Sequence, residues 1–352
     1  MYKIDIEPVD KSLQSEIQYI LDNKSKPRGS LGRLEELAMQ IGLVQNTIYP
    51  KLQKPVMLTV AADHKITDEG VSPCPPKMTW QQCLNFVEGG GGIGLFSNLY
   101  GFDLYVVDAG VDFDFETHPN LINAKVRKGT RNFAVEHAMT SDECTKAIEN
   151  GRNIVNHFYE RGTNIVGFGE MGIGNTSPAT ALLSVYCNVP VADCVGPGSG
   201  LDKSGVDNKR MVLENAIKKH GISEDPFENL CRYGGLEIAT IAGAMLQAAK
   251  NKMMIIVDGF ITTSSALAAY MINPVVAEYF IFSHQSNEHA HIKMIEFMKG
   301  KPLVNLDLRL GEGTGAAIVY PIIRGAIEMI NKMTSFEDGG IYNTTINKAC
   351  AL

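Results

Sequence analysis

The sequence has no apolar run of 18 residues, so it holds no stretch able to cross a bilayer as a helix. It has no excess of basic charge. Its 32 Lys and Arg stand against 39 Asp and Glu, a net charge of −7, which lacks the electrostatic footprint that nucleic acid demands. Its cysteines lack pairing: they stand at 74, 83, 144, 187, 194, 231 and 350, an odd number with no CxxC spacing, and Cys187 and Cys194 lie within apolar runs. That pattern excludes a disulfide framework and predicts a reduced, cytoplasmic protein. The polar, acidic start MYKIDIEPVDKSLQ is not a secretory leader. GxSxG, HExxH and a Walker GK[ST] are also missing, and no cysteine has a recognisable catalytic setting.

What is present suits a globular enzyme of one large domain or two unequal ones: 352 residues, 45% of them hydrophobic. Segments 12–24 and 31–46 read as helices split by the turn-rich KPRGS; Leu31, Leu34, Leu37, Ala38, Ile41 and Leu43 recur at helical spacing, with Ser30 as N-cap. Short apolar runs then follow at 56–62, 104–110, 164–170, 189–196, 253–259 and 279–284, and read as strands. Helical patterns lie between most of them, at 80–99, 141–161, 178–187, 205–219, 235–250 and 262–272, with a last helix at 317–334. This alternation predicts an α/β fold with a mainly parallel sheet flanked by helices. Nearly every strand ends in Gly, Asp, Glu or His (ADH, DAG, GFGE, VDG, FSH). Ligands of such sheets bind beyond the carboxyl ends of the strands, so the site is expected there.

Four constellations carry chemistry. In GFGEMGIGNTSPATALL (167–183) a strand runs through a glycine-rich turn with Glu170 into a helix starting near Thr176, whose N–H groups suit an anion; an ordinary strand–helix turn is the alternative. In VGPGSGLDKSGVDNK (195–209) glycines permit close approach and Lys209 offers a charge for phosphate, unless it is merely solvated. In LRLGEGTGAA (308–317) a strand-like run precedes Glu312, a glycine-flanked and accessible carboxylate suited to act as a base. A simple loop before a helix is the other reading, and a dinucleotide site is excluded because no βαβ unit with an acidic residue follows. In SHQSNEHAH (283–291), His284, Glu288, His289 and His291 have no metal-site spacing; helical geometry would set only His284 and Glu288 on one face, so a polar loop is expected and no metal.

Taken in order, KPRGSLGRLEELA, ADHKITDEGVSP, GTRNFAVEHAMT, GEMGIGNTSPATALL, VGPGSGLD with GVDNK, GGLEIATIAGAML, VDGFITTSSALAA and LRLGEGTGAA resemble the nicotinate-nucleotide:dimethylbenzimidazole phosphoribosyltransferase family over roughly residues 24–335. The resemblance implies a Rossmann-like α/β domain (51–324) and a small helical domain from both chain ends (1–50 with 325–352). It implies a dimer, and neither a metal nor an organic cofactor. Glu312 matches the family's general base and Glu170 its second carboxylate. Gly172, Gly174, Asn175, Thr176, Gly198, Gly200 and Lys209 match phosphate-binding segments. Ser283, Ser286 and Gly313 match the nicotinate region. The implied reaction moves the phosphoribosyl group of nicotinate mononucleotide to an aromatic base in cobamide assembly.

Two departures bear on that base. Lys65 stands where the family has glycine in ADHG, and the base-pocket stretch SPCPPKMTWQQC carries Cys74 and Trp80 with the matching Gln82. A changed wall points to a changed acceptor: some relatives activate phenol or p-cresol and work as a heterodimer of paralogues. Neutral substitution is the other account. A catalytically silent, base-binding partner subunit is disfavoured because both Glu170 and Glu312 are kept.

Overall fold

The computed structural model describes residues 2–288 and 290–343; Met1, His289 and residues 344–352, with Cys350 and the end of the expected C-terminal domain segment, lie outside them. After an extended start come α1 (Gln14–Asn23) and α2 (Arg33–Val44). Then the sheet begins: β1 (Val56–Ala62), β2 (Asp103–Gly110), β3 (Leu121–Asn123), β4 (Ile165–Met171), β5 (Met254–Val257) and β6 (Phe280–Phe282). Among the described residues this sheet has six strands in the order β3-β2-β1-β4-β5-β6, every neighbouring pair parallel. All seven residues of β1, VMLTVAA, are buried, so the strand has no solvent face and needs no polar alternation. The chain builds outward from β1 through β2 to β3, then returns to β1's other side with β4. The topological switch point therefore lies between β1 and β4, where such sheets take ligands.

Helices α3 (Met78–Val87) and α4 (Gly91–Tyr100) join β1 to β2, and α5 (Ser141–Glu160) joins β3 to β4. Thr140 and Glu143 form a reciprocal capping box that fixes where α5 starts. Between β4 and β5 run α6 (Thr176–Cys187), α7 (Lys203–His220), α8 (Pro226–Tyr233) and α9 (Leu236–Lys250). In α9 small residues such as Ala239, Ala242 and Gly243 let it nest between α5 and the sheet; all its residues but Lys250 are buried. After β5 come α10 (Phe260–Ile272), the short parallel pair β7 (His284–Gln285) and β8 (Val304–Asn305), and between those two α11 (His291–Phe297). The last helix, α12 (Thr314–Lys332), packs against α2 and α4. Among the described residues, no helix is long and apolar enough to cross a membrane.

Four local expectations are corrected. The run 189–196 is no strand but a loop with a single 3-10 turn, Val191–Asp193, behind Pro190. Proline supplies no ladder donor, and both neighbours of β4 are already in place. The pattern at 80–99 is two helices, since Gly89 and Gly91 adopt φ of 82° and 71° and break it. The strand-like NLDLRL is strand only at its first residue: Asp307 turns left-handed at φ 54°. Ser30 does not cap α2; Gly32 is the cap residue, and the Glu35 carboxylate accepts from Leu31 N–H instead.

Candidate active site

A cavity of about 300 Å³ opens at the carboxyl ends of β4 and β5. Its floor is Glu170 and the turn Gly172–Thr176; the start of α10, Gly259–Ile261, forms one side and Gly311 with Glu312 another. Cys74, Met78 and Gln82, on and just before α3, close the remaining wall.

The glutamate expected to be accessible is in fact buried, Glu312 being 7% exposed, and it is held from several directions. Residues 311, 312 and 313 have φ of 83°, 67° and 100° in succession. Left-handed backbone costs a residue with a Cβ more than glycine, so Glu312 needs outside support. Thr59 of β1 donates its hydroxyl to the Glu312 carbonyl (2.8 Å). Asp258, just past β5, accepts the N–H groups of Gly313 and Ala316, each at 3.0 Å. The loop lies flat on β4 because residue 169 is glycine: a Cβ there would meet the Glu312 carbonyl oxygen at 1.9 Å. One carboxylate oxygen of Glu312 accepts from Ile93 N–H (3.2 Å) in the first turn of α4. Burial pushes the Glu312 carboxyl above its ordinary value; the N–H groups of Ile93 and Gly92 oppose this and the charge of Asp258 adds to it.

Glu170 sits across the cavity, and Asn175 donates to it through its side-chain amide. Burial raises its pKa to about 8, reinforced by the charges of Glu237, Asp258 and Glu312 and opposed by the Asn175 hydrogen bond. Two carboxyls thus share one cavity, and burial raises both.

The far end carries the opposite charge. No side chain caps the start of α6; Ser177 N–H is taken by the Gly174 carbonyl and Pro178 has none, which leaves the N–H of Thr176, a residue that lines the cavity. Behind them lies Lys209, on the inward stripe of α7 with Leu213 and Ala216, fully buried. Its ammonium donates to the Thr176 hydroxyl at 2.6 Å. Burial lowers its pKa to about 8, against which the Glu288 carboxylate works. A Cβ on Gly198 would lie 3.6 Å from that nitrogen, so glycine keeps the approach to it clear. An open helix N-terminus with a buried ammonium makes an anion cradle.

A buried carboxylate, a partly protonated carboxyl and an anion cradle around one cavity suit group transfer from a phosphorylated donor. A phosphoribosyltransferase family model matches residues 6–341. Proteins named nicotinate-nucleotide–dimethylbenzimidazole phosphoribosyltransferase from Bacteroides fragilis (strain YCH46) and from Cupriavidus necator are 47% and 44% identical to this chain, over 94% and 96% of it and 96% and 97% of their own length. The chain belongs to the nicotinate-nucleotide–dimethylbenzimidazole phosphoribosyltransferase family. The crystal structure of CobT from Thermus thermophilus superposes with a TM-score of 0.91 at 34% identity, covering 94% of this chain and 99% of that one. The protein is therefore a phosphoribosyltransferase acting on small-molecule substrates, with a Rossmann-like sheet.

In this phosphoribosyltransferase Glu170, Glu312, Gly172, Gly174, Asn175, Thr176, Gly198, Cys74, Gln82 and Ser286 all line the cavity. Lys209 reaches it through Thr176, and Gly200 lines a neighbouring recess with Arg309. Trp80 turns away: its ring stacks on Phe113 with centroids 4.6 Å apart, so it is no part of the cavity wall. Ser283 and Gly313 lie behind the wall, Ser283 sharing a hydrogen bond with His284 Nδ1 (2.9 Å). Lys65 is half-exposed and faces Asp112 at 3.3 Å.

Among the described residues of 283–291, only the last is helical. His284 and Gln285 are strand, and the helix starts only at His291. His289 lies outside the described residues. His291 is buried, with its pKa lowered to about 3 chiefly by burial, then by His284. Its Nδ1 accepts from Ser286 N–H at 2.8 Å and its Nε2 faces the Thr263 hydroxyl at 2.8 Å, so it serves as a neutral strut under Ser286. Among the described residues, no three His, Cys, Asp or Glu are grouped to hold a metal ion. Sequence reasoning gave no role to Asp258, and none to His284 beyond its place in the SHQS stretch matched to the nicotinate region; nor did it single out Met78 or Arg309. The strand-terminal VDG and FSH motifs were the signal for the first two; the others carry none.

Proposed function

We propose that the enzyme transfers the 5-phosphoribosyl group of nicotinate mononucleotide to an aromatic base such as 5,6-dimethylbenzimidazole, with Glu312 as the general base. The observation that carries this reading is the pairing, in one cavity, of a buried glutamate anchored through a single oxygen with an anion cradle at the opposite end. In the reaction the donor phosphate sits on the first turn of α6, neutralised by Lys209. The C–N bond between C1′ and the nicotinate ring breaks, and its electron pair leaves with the ring nitrogen, so the cationic pyridinium departs neutral. The unprotonated ring nitrogen of the acceptor bonds C1′ from the opposite face, inverting β to α, while the proton on its other ring nitrogen passes to Glu312. The charge of Glu312 offsets the positive charge that develops on the ribose, and Glu170 adds to it when it is ionised. Holding both reactants supplies most of the acceleration, and the proton transfer adds about 10²–10⁴-fold. The nicotinate carboxylate is assigned to the uncapped start of α10, beside His284 and Ser286. The working unit is taken to be a dimer, of identical chains or with a paralogue.

The test uses the purified chain alone with nicotinate mononucleotide and, separately, dimethylbenzimidazole, adenine, phenol and p-cresol, with chromatography for α-riboside phosphates. Product with a nitrogenous base, and a loss of about 10²-fold or more in kcat for Glu312→Gln, are expected. Undiminished turnover in that variant would remove Glu312 from the mechanism. Product from phenols, or only after a second protein is added, would move the assignment to the phenol-activating heterodimer.

A further inference from the structure

Asp258 does not line the cavity, is 1% exposed, and yet touches three of its walls. One carboxylate oxygen accepts from Gly313 N–H and the other from Ala316 N–H. The second oxygen also lies 3.8 Å from His284 Nδ1, and Gly259 N–H is a further donor. A Cβ on Gly315 would sit 2.1 Å from the His284 ring and 2.7 Å from Asp258, so the carboxylate and the imidazole are wedged directly under the start of α12. That start is where the chain leaves the left-handed Gly311–Gly313 segment. Asp258 therefore satisfies the N–H groups of the residue following Glu312 and of the helix beyond, while Thr59 secures the carbonyl of Glu312 itself.

We infer that Asp258 is a positioning residue for the transfer reaction, fixing Glu312 in its left-handed conformation and holding a negative charge beneath it, with Thr59 as the uncharged half of the same clamp. The inference rests on the assignment of Glu312 as the base. Its physical content is twofold. Glu312 needs an external hold, since its backbone lies in a region that side chains with a Cβ occupy at a cost, and a displacement of about 1 Å at a reacting group can cost on the order of 10²-fold in rate. Burial raises the Asp258 carboxyl, and His284 with the N–H groups of Gly313, Gly259 and Ala316 favours its charged form; so charged, Asp258 disfavours ionisation of Glu312 and strengthens it as a base. The groups facing Glu312 are Glu170 from β4, Asp258 from β5, Thr59 from β1, the backbone N–H groups of Gly92 and Ile93 from α4, and Arg309 on its own loop, which lines the same cavity.

The experiment measures kcat, KM for nicotinate mononucleotide and the pH profile of kcat in Asp258→Asn, Thr59→Val and Glu312→Gln of the full chain. In Asp258→Asn kcat should fall by about 10²-fold, and the acidic limb of the profile should move to lower pH. The sign follows from the charge: without the carboxylate beneath it Glu312 loses its proton more readily, so the active form persists to more acid pH. In Thr59→Val kcat should fall by about 10-fold with the limb unmoved. A folded Asp258→Asn enzyme with parental kcat, or one with reduced kcat and an unmoved limb, would overturn the inference. If Asp258→Asn does not fold, Thr59→Val decides, parental kcat there overturning it. Full activity in Glu312→Gln would instead sink the assignment of the base, a separate failure.

Discussion

Two glycine-rich segments run into helices at this cavity, and their helix starts meet opposite fates. At Gly172–Thr176 the first turn of α6 has no side-chain cap, because Asn175, at the cap position, turns its amide to Glu170 instead. The helix dipole, the Thr176 N–H and the buried Lys209 make that end attractive to an anion. At Gly311–Gly313 the first turn of α12 is occupied by a carboxylate of the protein itself, Asp258. Its electropositive pull is used internally, and the glutamate before it is left to do chemistry. The same local motif thus gives a binding end and a reactive end. What separates them is whether a side chain from elsewhere in the fold fills the helix start.

The contrast can be broken at either end. The largest effect is expected from Gly169→Ala, whose new methyl would lie 1.9 Å from the Glu312 carbonyl oxygen. The reactive loop must lift off β4, and kcat should fall by about 10²-fold or more with a far-ultraviolet circular dichroism spectrum like the parent's; a fully active variant would show that the flat seating of the loop is not needed. Next is Lys209→Met, which removes a charge-assisted contact worth about 1.5–3 kcal/mol. KM for the nucleotide should rise by roughly 10- to 100-fold, with kcat at saturation less affected, and steady-state kinetics would show it. Equal losses in kcat and kcat/KM would mean that the lysine acts in the transition state rather than in holding the phosphate.

The smallest effect is a pH dependence of the parent enzyme. The Lys209 pKa is lowered to about 8, so its ammonium is present below that pH and lost above it. KM for the nucleotide should therefore rise as the pH passes about 8. Glu170 loses its proton over the same range, its pKa being raised to about 8, and adds a negative charge to the cavity. Lys209→Met separates the two, since it retains Glu170: a flattened profile assigns the rise to the lysine, and an unchanged one assigns it to the glutamate.

The strand–helix alternation and the edge of the sheet that carries the site follow from the sequence alone, though β3, α8 and α11 do not. Apolar strands ending in charged or glycine residues are a short-range pattern, and residues two or four apart encode it whatever the rest of the chain does. For the same reason Glu170 and Glu312 stood out: each is embedded in glycines that only a turn or a close approach explains. Other features were decided by partners far along the chain. Trp80 faces Phe113 rather than the cavity, 189–196 finds no vacant place in the sheet, and Lys209, whose spacing fits a phosphate ligand and a solvated side chain equally, is fully buried behind Thr176. The cap on α12 comes from a residue 55 positions before Gly313. Burial and capping depend on which elements meet in three dimensions, so neither is written in the spacing of neighbouring residues; the packing of β1, β4 and β5 beneath one loop decided them.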